Sequence, residues 1–437
     1  MKLRIEKAIY GGASLARVPT AVPSDGPPDL AGKAVFVPGA LPGELVEATI
    51  ASERRSYITA TLDSVLESTP SRIAPGCEYY GRCGGCHYQH ADYAAQLAMK
   101  RSILLESLER AHVSIPADIR VLSAEPWAYR NRIRLHVAKL PQPSLSYREA
   151  ASHRDLPVSH CPVAAPILQR AIGAFNELLQ KQPALAQDIS EVEFFTTAEE
   201  SALLVSLFTN RANATEHLPR SVADALLPAL PALTGVRTLS LDLKTRRTQP
   251  SAAWGQASLE YAVGPLRYQV SAGAFFQVNR YLIATLVEEV AAQRSGSIAW
   301  DLYAGVGLFA QALAQRFEQV IAVESSAAST ADLARNLHGA RHKRIAKDTL
   351  RFLQSPPAPR PDLVVVDPPR AGLGTEVCQR LAAAQPRQIV YVSCDPSTLA
   401  RDLRTLQPSG YRPTALTLID LFPQTFHLET VATLERI

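Results

Sequence analysis

Over the first 67 residues, apolar and polar positions alternate in short runs. Leu3–Tyr10 reads as a strand that ends at Gly11-Gly12, and Lys33–Val37 follows. After the turns Pro38-Gly39 and Pro42-Gly43, Leu45–Ala51 and Tyr57–Val65 alternate again. Period-two runs separated by glycine and proline turns predict a small β-barrel. The period changes at Tyr93–Ala111, where Leu97, Ile103, Leu104 and Leu108 recur at helical steps. Residues 127–270 mix both patterns, with proline-rich joints at Leu140–Pro143 and Pro228–Pro231, and no topology emerges there.

From about Ala272 the pattern becomes regular. Val287–Ala292 reads as helix, Ile298–Leu302 as strand, Gly305–Arg316 as helix, Val320–Val323 as strand and Ala327–Asn336 as helix. Leu363–Val366 is the next strand, then helix Thr375–Ala383, strand Ile389–Val392 and a closing strand Thr430–Glu435. Alternating strands and helices at this spacing predict a parallel sheet covered on both faces. The expected architecture is therefore α/β, with a Rossmann-like domain at 272–437. A mixed α+β central domain at 68–271 and an OB-type barrel at 1–67 precede it.

Composition narrows the class. Of 437 residues, 47% are hydrophobic and 20% charged, a balance that excludes wholesale disorder. No apolar run approaches the roughly 18 residues of a membrane span. The opening Met-Lys-Leu-Arg-Ile-Glu-Lys lacks the apolar core of a secretory signal. A cytoplasmic monomer is the resulting expectation. The net charge of +4 is a weak pointer to a polyanionic partner. Of the six cysteines, Cys77, Cys83 and Cys86 crowd into ten residues, with Cys161 as a fourth candidate. In a reducing compartment such a cluster reads as a metal site, and the spacing accommodates either zinc or a 4Fe–4S cluster.

Four further motifs carry chemistry. Asp301-Leu-Tyr-Ala-Gly-Val-Gly-Leu-Phe-Ala310 is a strand end, a Gly-x-Gly turn and a helix start. Gly305 lets a ligand approach the backbone at the first βα switch point. Glu324 closes the next strand, where an acid can hydrogen-bond ribose hydroxyls. S-adenosylmethionine and a nicotinamide cofactor both present such a ribose. Val364-Val-Val-Asp-Pro-Pro-Arg370 puts a carboxylate and a stiff turn at the sheet's carboxyl edge. Cys394, in Val390-Tyr-Val-Ser-Cys-Asp-Pro396, leaves a buried strand at that same edge, whereas Cys378 lies within a helical pattern as core. Glu429, in Phe426-His-Leu-Glu-Thr430, becomes a general base if desolvated near the reacting centre.

Together these motifs resemble the RNA uracil-5-methyltransferases, nearly end to end. Residues 1–67 are similar to that family's TRAM domain, an RNA-binding barrel. Cys77, the stretch Gly81-Arg82-Cys83-Gly-Gly-Cys86-x-Tyr-Gln89 and Cys161 match its 4Fe–4S motif. Tyr129-Arg-Asn-Arg132, Phe275-Phe-Gln277-Val-Asn279, the stretch from Ser393 to Asp402, and His427-Leu-Glu429-Thr430 match further signatures. The resemblance implies that Cys394 is the nucleophile and Glu429 the base. It implies that Gln277, Tyr303, Glu324, Asp348 and Asp367 line the S-adenosylmethionine pocket. Gly305 joins them, and so does Leu308, through its backbone alone, where some members have a polar residue.

The implied reaction adds the Cys394 sulfur to C6 of a flipped-out uracil, so that C5 can take a methyl group. That role predicts a Cys394 pKa below the free-cysteine value of about 8.5. Arg54, Arg55, Arg130, Arg132 and Arg134 are the expected phosphate contacts of an RNA partner, ribosomal or transfer RNA. Two rival readings stand beside this one. A Rossmann-type dehydrogenase uses the glycine turn and Glu324 but leaves the cysteines and Glu429 idle. A non-catalytic RNA-binding protein uses the barrel and the metal knuckle but leaves the last domain unexplained.

Overall fold

The computed structural model describes residues 1–18, 30–116, 119–139, 142–209, 217–241, 248–357 and 359–436. The first half of the joint Leu140–Pro143 lies outside them. Strands β1 (Lys2–Ala8), β2 (Ala13–Arg17), β3 (Ala34–Pro38), β4 (Leu45–Glu53) and β5 (Tyr57–Glu67) close into a barrel in the order β1-β2-β3-β5-β4. Every second side chain turns inward, so Leu3, Val35, Val37, Val46 and Ile58 form its core. Helix Tyr93–Arg110 follows, capped by Asp92, whose carboxylate accepts from the Ala95 amide at 2.8 Å. Then comes the short β6 (Ile119–Leu122).

The central region forms a seven-stranded sheet. Its strands are β7 (Arg132–Ala138), β8 (Ser144–Arg148), β9 (Asp155–Pro157), β10 (Ile189–Thr196), β11 (Leu203–Thr209), β12 (Leu233–Leu241) and β13 (Thr248–Gly255). They lie in the order β13-β12-β11-β10-β7-β8-β9. A hairpin of β14 (Ser258–Val263) and β15 (Leu266–Ser271) leads onward.

The carboxyl-terminal sheet has β16 (Gly296–Leu302), β17 (Phe317–Glu324), β18 (Lys343–Ala346), β19 (Leu363–Val366), β20 (Gln388–Ser393), β21 (Tyr411–Ile419) and β22 (Glu429–Arg436). Its order is β18-β17-β16-β19-β20-β22-β21-β6, with β22 antiparallel to both neighbours and the other pairs parallel. Trp300, Val364, Val366 and Tyr391 face one core, and Ala299, Val365, Val390 and Val392 face the other. Burial on both faces is why these strands read as continuous apolar runs. Helix Tyr93–Arg110 packs Met99, Ile103 and Leu104 into the first core, beside Leu399 and Leu403 of helix Pro396–Leu406.

Strand order reverses at β16, with β17 and β18 added on one side and β19 and β20 on the other, which opens a crevice at the carboxyl ends of β16 and β19. The helix expected from Gly305 to Arg316 spans only Leu308–Leu313. Its start is delayed because Gly307 holds φ +92° as the cap, where a Cβ would lie 2.8 Å from Leu333 Cδ1.

Candidate active site

Register brings the candidate residues to one edge. Leu302 pairs with Val323 and Val366, Val366 with Tyr391, and Ser393 with Thr430. Tyr303, Glu324, Asp367, Cys394 and Glu429 therefore leave or enter neighbouring strands side by side. Cys394 and Glu429 directly flank a cross-strand pair, so sulfur and carboxyl belong to one corner of the sheet.

A small cleft of about 40 Å³ opens beside this corner. Gln277, Tyr303, Gly305, Leu308 and Asp367 line it, together with Phe275. A Cβ at Gly305 would point into open space, which is the room a ligand needs against the backbone. Glu324 ties two turns together: it accepts from the Gly305 amide at 2.8 Å and from Ser325 and Ser326 at 2.7 and 2.6 Å. A carboxylate offers about four acceptor sites, so capacity remains for ribose hydroxyls. Tyr303 holds φ +65°, a strained conformation for a bulky residue, of the kind that collects at functional sites. Asp348 is exposed at the end of β18 and caps the following helix through Leu350 and Arg351. Leu308 is 7% exposed, and its carbonyl accepts from the Tyr268 hydroxyl at 2.9 Å.

The corner is electrostatically acidic. Glu429 is 2% exposed, and burial, with Asp367 nearby, holds its carboxyl well above the usual range. Burial likewise pushes Asp367 up to about 7. Two buried carboxyls this close do not both keep their charge at neutral pH. The Cys394 thiol is half-buried, and burial pushes it up to about 12, helped by Glu429 and Asp367 and opposed by Arg370. This corrects the expected depression below the free-cysteine value: in the unliganded protein the sulfur is a protonated thiol.

Other segments supply walls that sequence reasoning missed. The Tyr10 hydroxyl, from the turn after β1, donates to the Cys394 carbonyl at 3.3 Å. Its ring stands edge-on to Phe426 at 5.4 Å, and Phe426 lies 4.3 Å from the His427 ring. A Cβ on Gly12 would meet Phe426 at 3.1 Å, so the barrel turn is docked tightly on this wall. Burial first, then Arg370, lowers His427 to about 4, which leaves it neutral. Asp402 accepts from the Leu373 amide and the Tyr391 hydroxyl at 2.6 and 2.9 Å, and Arg401 donates to the Ala371 carbonyl, which pins the loop after Arg370. His427, Arg401 and Asp402 lay within recognised motifs, but nothing in the sequence pointed to Tyr10.

Cys77, Cys83, Cys86 and Cys161 are free thiols that line one cavity of about 600 Å³. The Gly85 amide donates to Cys83 Sγ at 3.4 Å, and Gln89, Tyr147 and Arg130 flank the other sulfurs. Among the described residues no three such side chains converge tightly enough for a single ion. Of the five arginines, Arg54 and Arg55 are exposed in the β4–β5 turn. Arg132 stacks over Phe195 at 3.9 Å and Arg134 over Phe208 at 3.6 Å, facing Glu193 and Glu191. Arg130 lines the cysteine cavity.

The strand order, with antiparallel β22 inserted between β20 and β21, the glycine turn at the switch point and the acid closing the second strand define a doubly wound nucleoside-binding fold, and the family match makes it an S-adenosylmethionine-dependent methyltransferase. A model of the tRNA (uracil-5-)-methyltransferase family matches residues 92–346 and 360–437. An uncharacterized RNA methyltransferase of Aquifex aeolicus is 33% identical, covering 100% of this chain and 98% of its own length. The 23S rRNA (uracil(1939)-C(5))-methyltransferase of Chromohalobacter salexigens is also 33% identical, over 99% of this chain and 89% of its own. The crystal structure of the Pyrococcus abyssi tRNA (uracil-54, C5)-methyltransferase with S-adenosyl-L-homocysteine shares the fold. Its TM-score is 0.77 at 23% identity, and the match covers 99% of this chain and 100% of that one. The chain belongs to the RNA uracil-5-methyltransferase family, and its substrate is RNA. The dehydrogenase and the non-catalytic readings fall with that result. Among the described residues, no helix is long and apolar enough to cross a membrane.

Proposed function

We propose that this enzyme methylates C5 of a uridine in ribosomal RNA through a covalent adduct between Cys394 and C6 of the base. The observation that carries the reading is the cross-strand placement of Cys394 and Glu429, beside the cleft formed by Gln277, Tyr303, Gly305 and Asp367. S-adenosylmethionine, when bound, supplies an electrophilic methyl group. Gln277, Tyr303, Gly305, Leu308, Glu324, Asp348 and Asp367 hold it. Cys394 loses its proton to solvent and the thiolate sulfur adds at C6, which breaks the C5–C6 π bond and places negative charge on C5. After C5 is methylated, Glu429 removes the C5 proton, and elimination breaks the C6–S bond. A carboxyl held above its usual range by burial is basic enough for that step.

The division of labour we propose is an RNA-binding TRAM barrel at 1–67, a central domain at 68–271 and the methyltransferase at 272–437, in a cytoplasmic monomer. We also assign a structural 4Fe–4S cluster to Cys77, Cys83, Cys86 and Cys161. The four line one cavity without converging tightly enough for a single ion, which supports a cluster over a zinc ion. Ribosomal RNA is favoured because a relative matching 99% of the chain is named for it.

The test uses two variants. Cys394→Ala is expected to abolish methylation and any adduct with 5-fluorouridine RNA, whereas Glu429→Gln accumulates the methylated adduct. Turnover by the first, or no accumulation by the second, defeats the respective assignment. Mass mapping of ribosomal and transfer RNA from a deletion strain identifies the uridine.

A further inference from the structure

Glu429 enters β22 from segment 420–428, which has no regular secondary structure and yet is largely buried. Backbone carbonyls in such a place need donors, and here residues that precede the last domain supply donors to Phe422, Pro423 and Gln424. Asn279 Nδ2 donates to Leu421 O at 3.1 Å, and Lys100 Nζ to Phe422 O at 2.9 Å. The Tyr129 hydroxyl donates to Pro423 O at 3.1 Å, and the His87 and Tyr88 amides to Gln424 O at 2.7 and 2.9 Å. Gln96 and Gln424 bond reciprocally: Gln96 Oε1 accepts from the Gln424 amide at 2.9 Å, and Gln96 Nε2 donates to Gln424 Oε1 at 3.0 Å.

At the root of the segment, Lys100 Nζ meets Asp420 Oδ1 at 2.5 Å, with both side chains 0% exposed. The Tyr93 hydroxyl takes the other oxygen at 2.9 Å. A fully buried ion pair is a poor source of stability, because desolvation cancels most of the attraction. What it does supply is direction. The ammonium bonds both the Asp420 side chain and the Phe422 carbonyl, so it fixes the path of the backbone between them. A buried pair that contributes geometry rather than stability, located at the base of the segment that presents Glu429, calls for a functional reading.

We propose that Lys100 and Asp420 are positioning residues for the general base. From helix Tyr93–Arg110, Lys100 sets the segment so that the Glu429 carboxyl meets the C5 proton. The proposal rests on the adduct reading above, and it assigns to this pair the step after methyl transfer. Neither residue lines the cleft beside the Cys394 corner. Formation of the adduct and binding of the methyl donor are therefore independent of the pair, while resolution of the methylated adduct depends on it.

The experiment is a single-turnover quench with unmodified substrate RNA on Lys100→Met/Asp420→Asn, which removes both charges together and leaves no unpaired buried charge. Expected is a decay of the methylated adduct roughly tenfold to a hundredfold slower, as for a small misplacement of a catalytic group. Adduct formation and S-adenosylmethionine affinity by calorimetry stay near the unsubstituted enzyme. A merely structural role lowers the amplitude by losing active molecules and leaves both rate constants unchanged. That result, or decay at the unsubstituted rate, overturns the proposal. If the double variant does not fold, Tyr129→Phe/Gln96→Met loosens the same segment without charge changes and is held to the same outcomes. Absence of any adduct in the unsubstituted enzyme is a separate result, which sinks the uracil-adduct reading and this proposal with it.

Discussion

Cys394 is half-buried in a corner that holds three nearby carboxyls, those of Glu429, Asp367 and Asp395, against one guanidinium, that of Arg370. Low polarity and negative neighbours both disfavour a thiolate, so the resting sulfur keeps its proton and escapes adventitious alkylation and oxidation at neutral pH. The sign of the consequence is definite. A thiol held up to about 12 gains reactive anion about tenfold per pH unit throughout the physiological range, without levelling off. Iodoacetamide labelling of the Cys394 peptide, followed by mass spectrometry on the unliganded enzyme, is expected to accelerate steadily from pH 7 to about 9. A plateau below pH 8 would mean that the corner is less acidic than the geometry indicates. Activation then belongs to the loaded complex, where a positive sulfonium held in the adjoining cleft would favour the anion.

At the scale of elements, what could be read in the sequence was what is local. Strands β16, β17, β19 and β20 announced themselves as apolar runs, and the turn at Gly305 announced the crevice. Strand β18, Lys343-Arg-Ile-Ala346, did not, because an edge strand facing solvent carries no apolar signature. Strand β2 and helix Pro396–Leu406 also went unread. Nor could periodicity reveal that β6 pairs with β21 nearly three hundred positions later, through Ile119 and Leu416. The same limit hid Tyr10, whose role is a long-range contact. The cysteine loop shows the reverse case: its motif was plain, and its connection was not. Cys86 is followed at once by the two amides that hold Gln424. Anaerobically purified enzyme is expected to carry about four irons per chain, and Cys83→Ser to lose them while still binding S-adenosylmethionine. Iron retained by that variant would remove Cys83 from the ligand set.

For the molecule as a whole, the question is how a large polyanion is held over a small corner. The net charge is only +4, so attraction must be local. Arg132 and Arg134 are occupied by glutamates and aromatic rings, whereas Arg54 and Arg55 project from the barrel without an ion-pair partner among the described residues. Arg54→Gln/Arg55→Gln is expected to weaken RNA binding and to flatten the salt dependence of log Kd by about one unit per lost phosphate contact. Melting temperature should not change. An unaltered slope in filter binding would move the RNA path elsewhere.

The barrel, however, does more than carry charge. Its Tyr10 turn closes one side of the reaction corner, with a hydroxyl on the Cys394 carbonyl and Gly12 against Phe426. The amino-terminal module is therefore no interchangeable cassette. A hybrid given a relative's barrel inherits a mismatched seam unless the turn and Phe426 travel together, and engineers who redirect such enzymes to new transcripts must graft both.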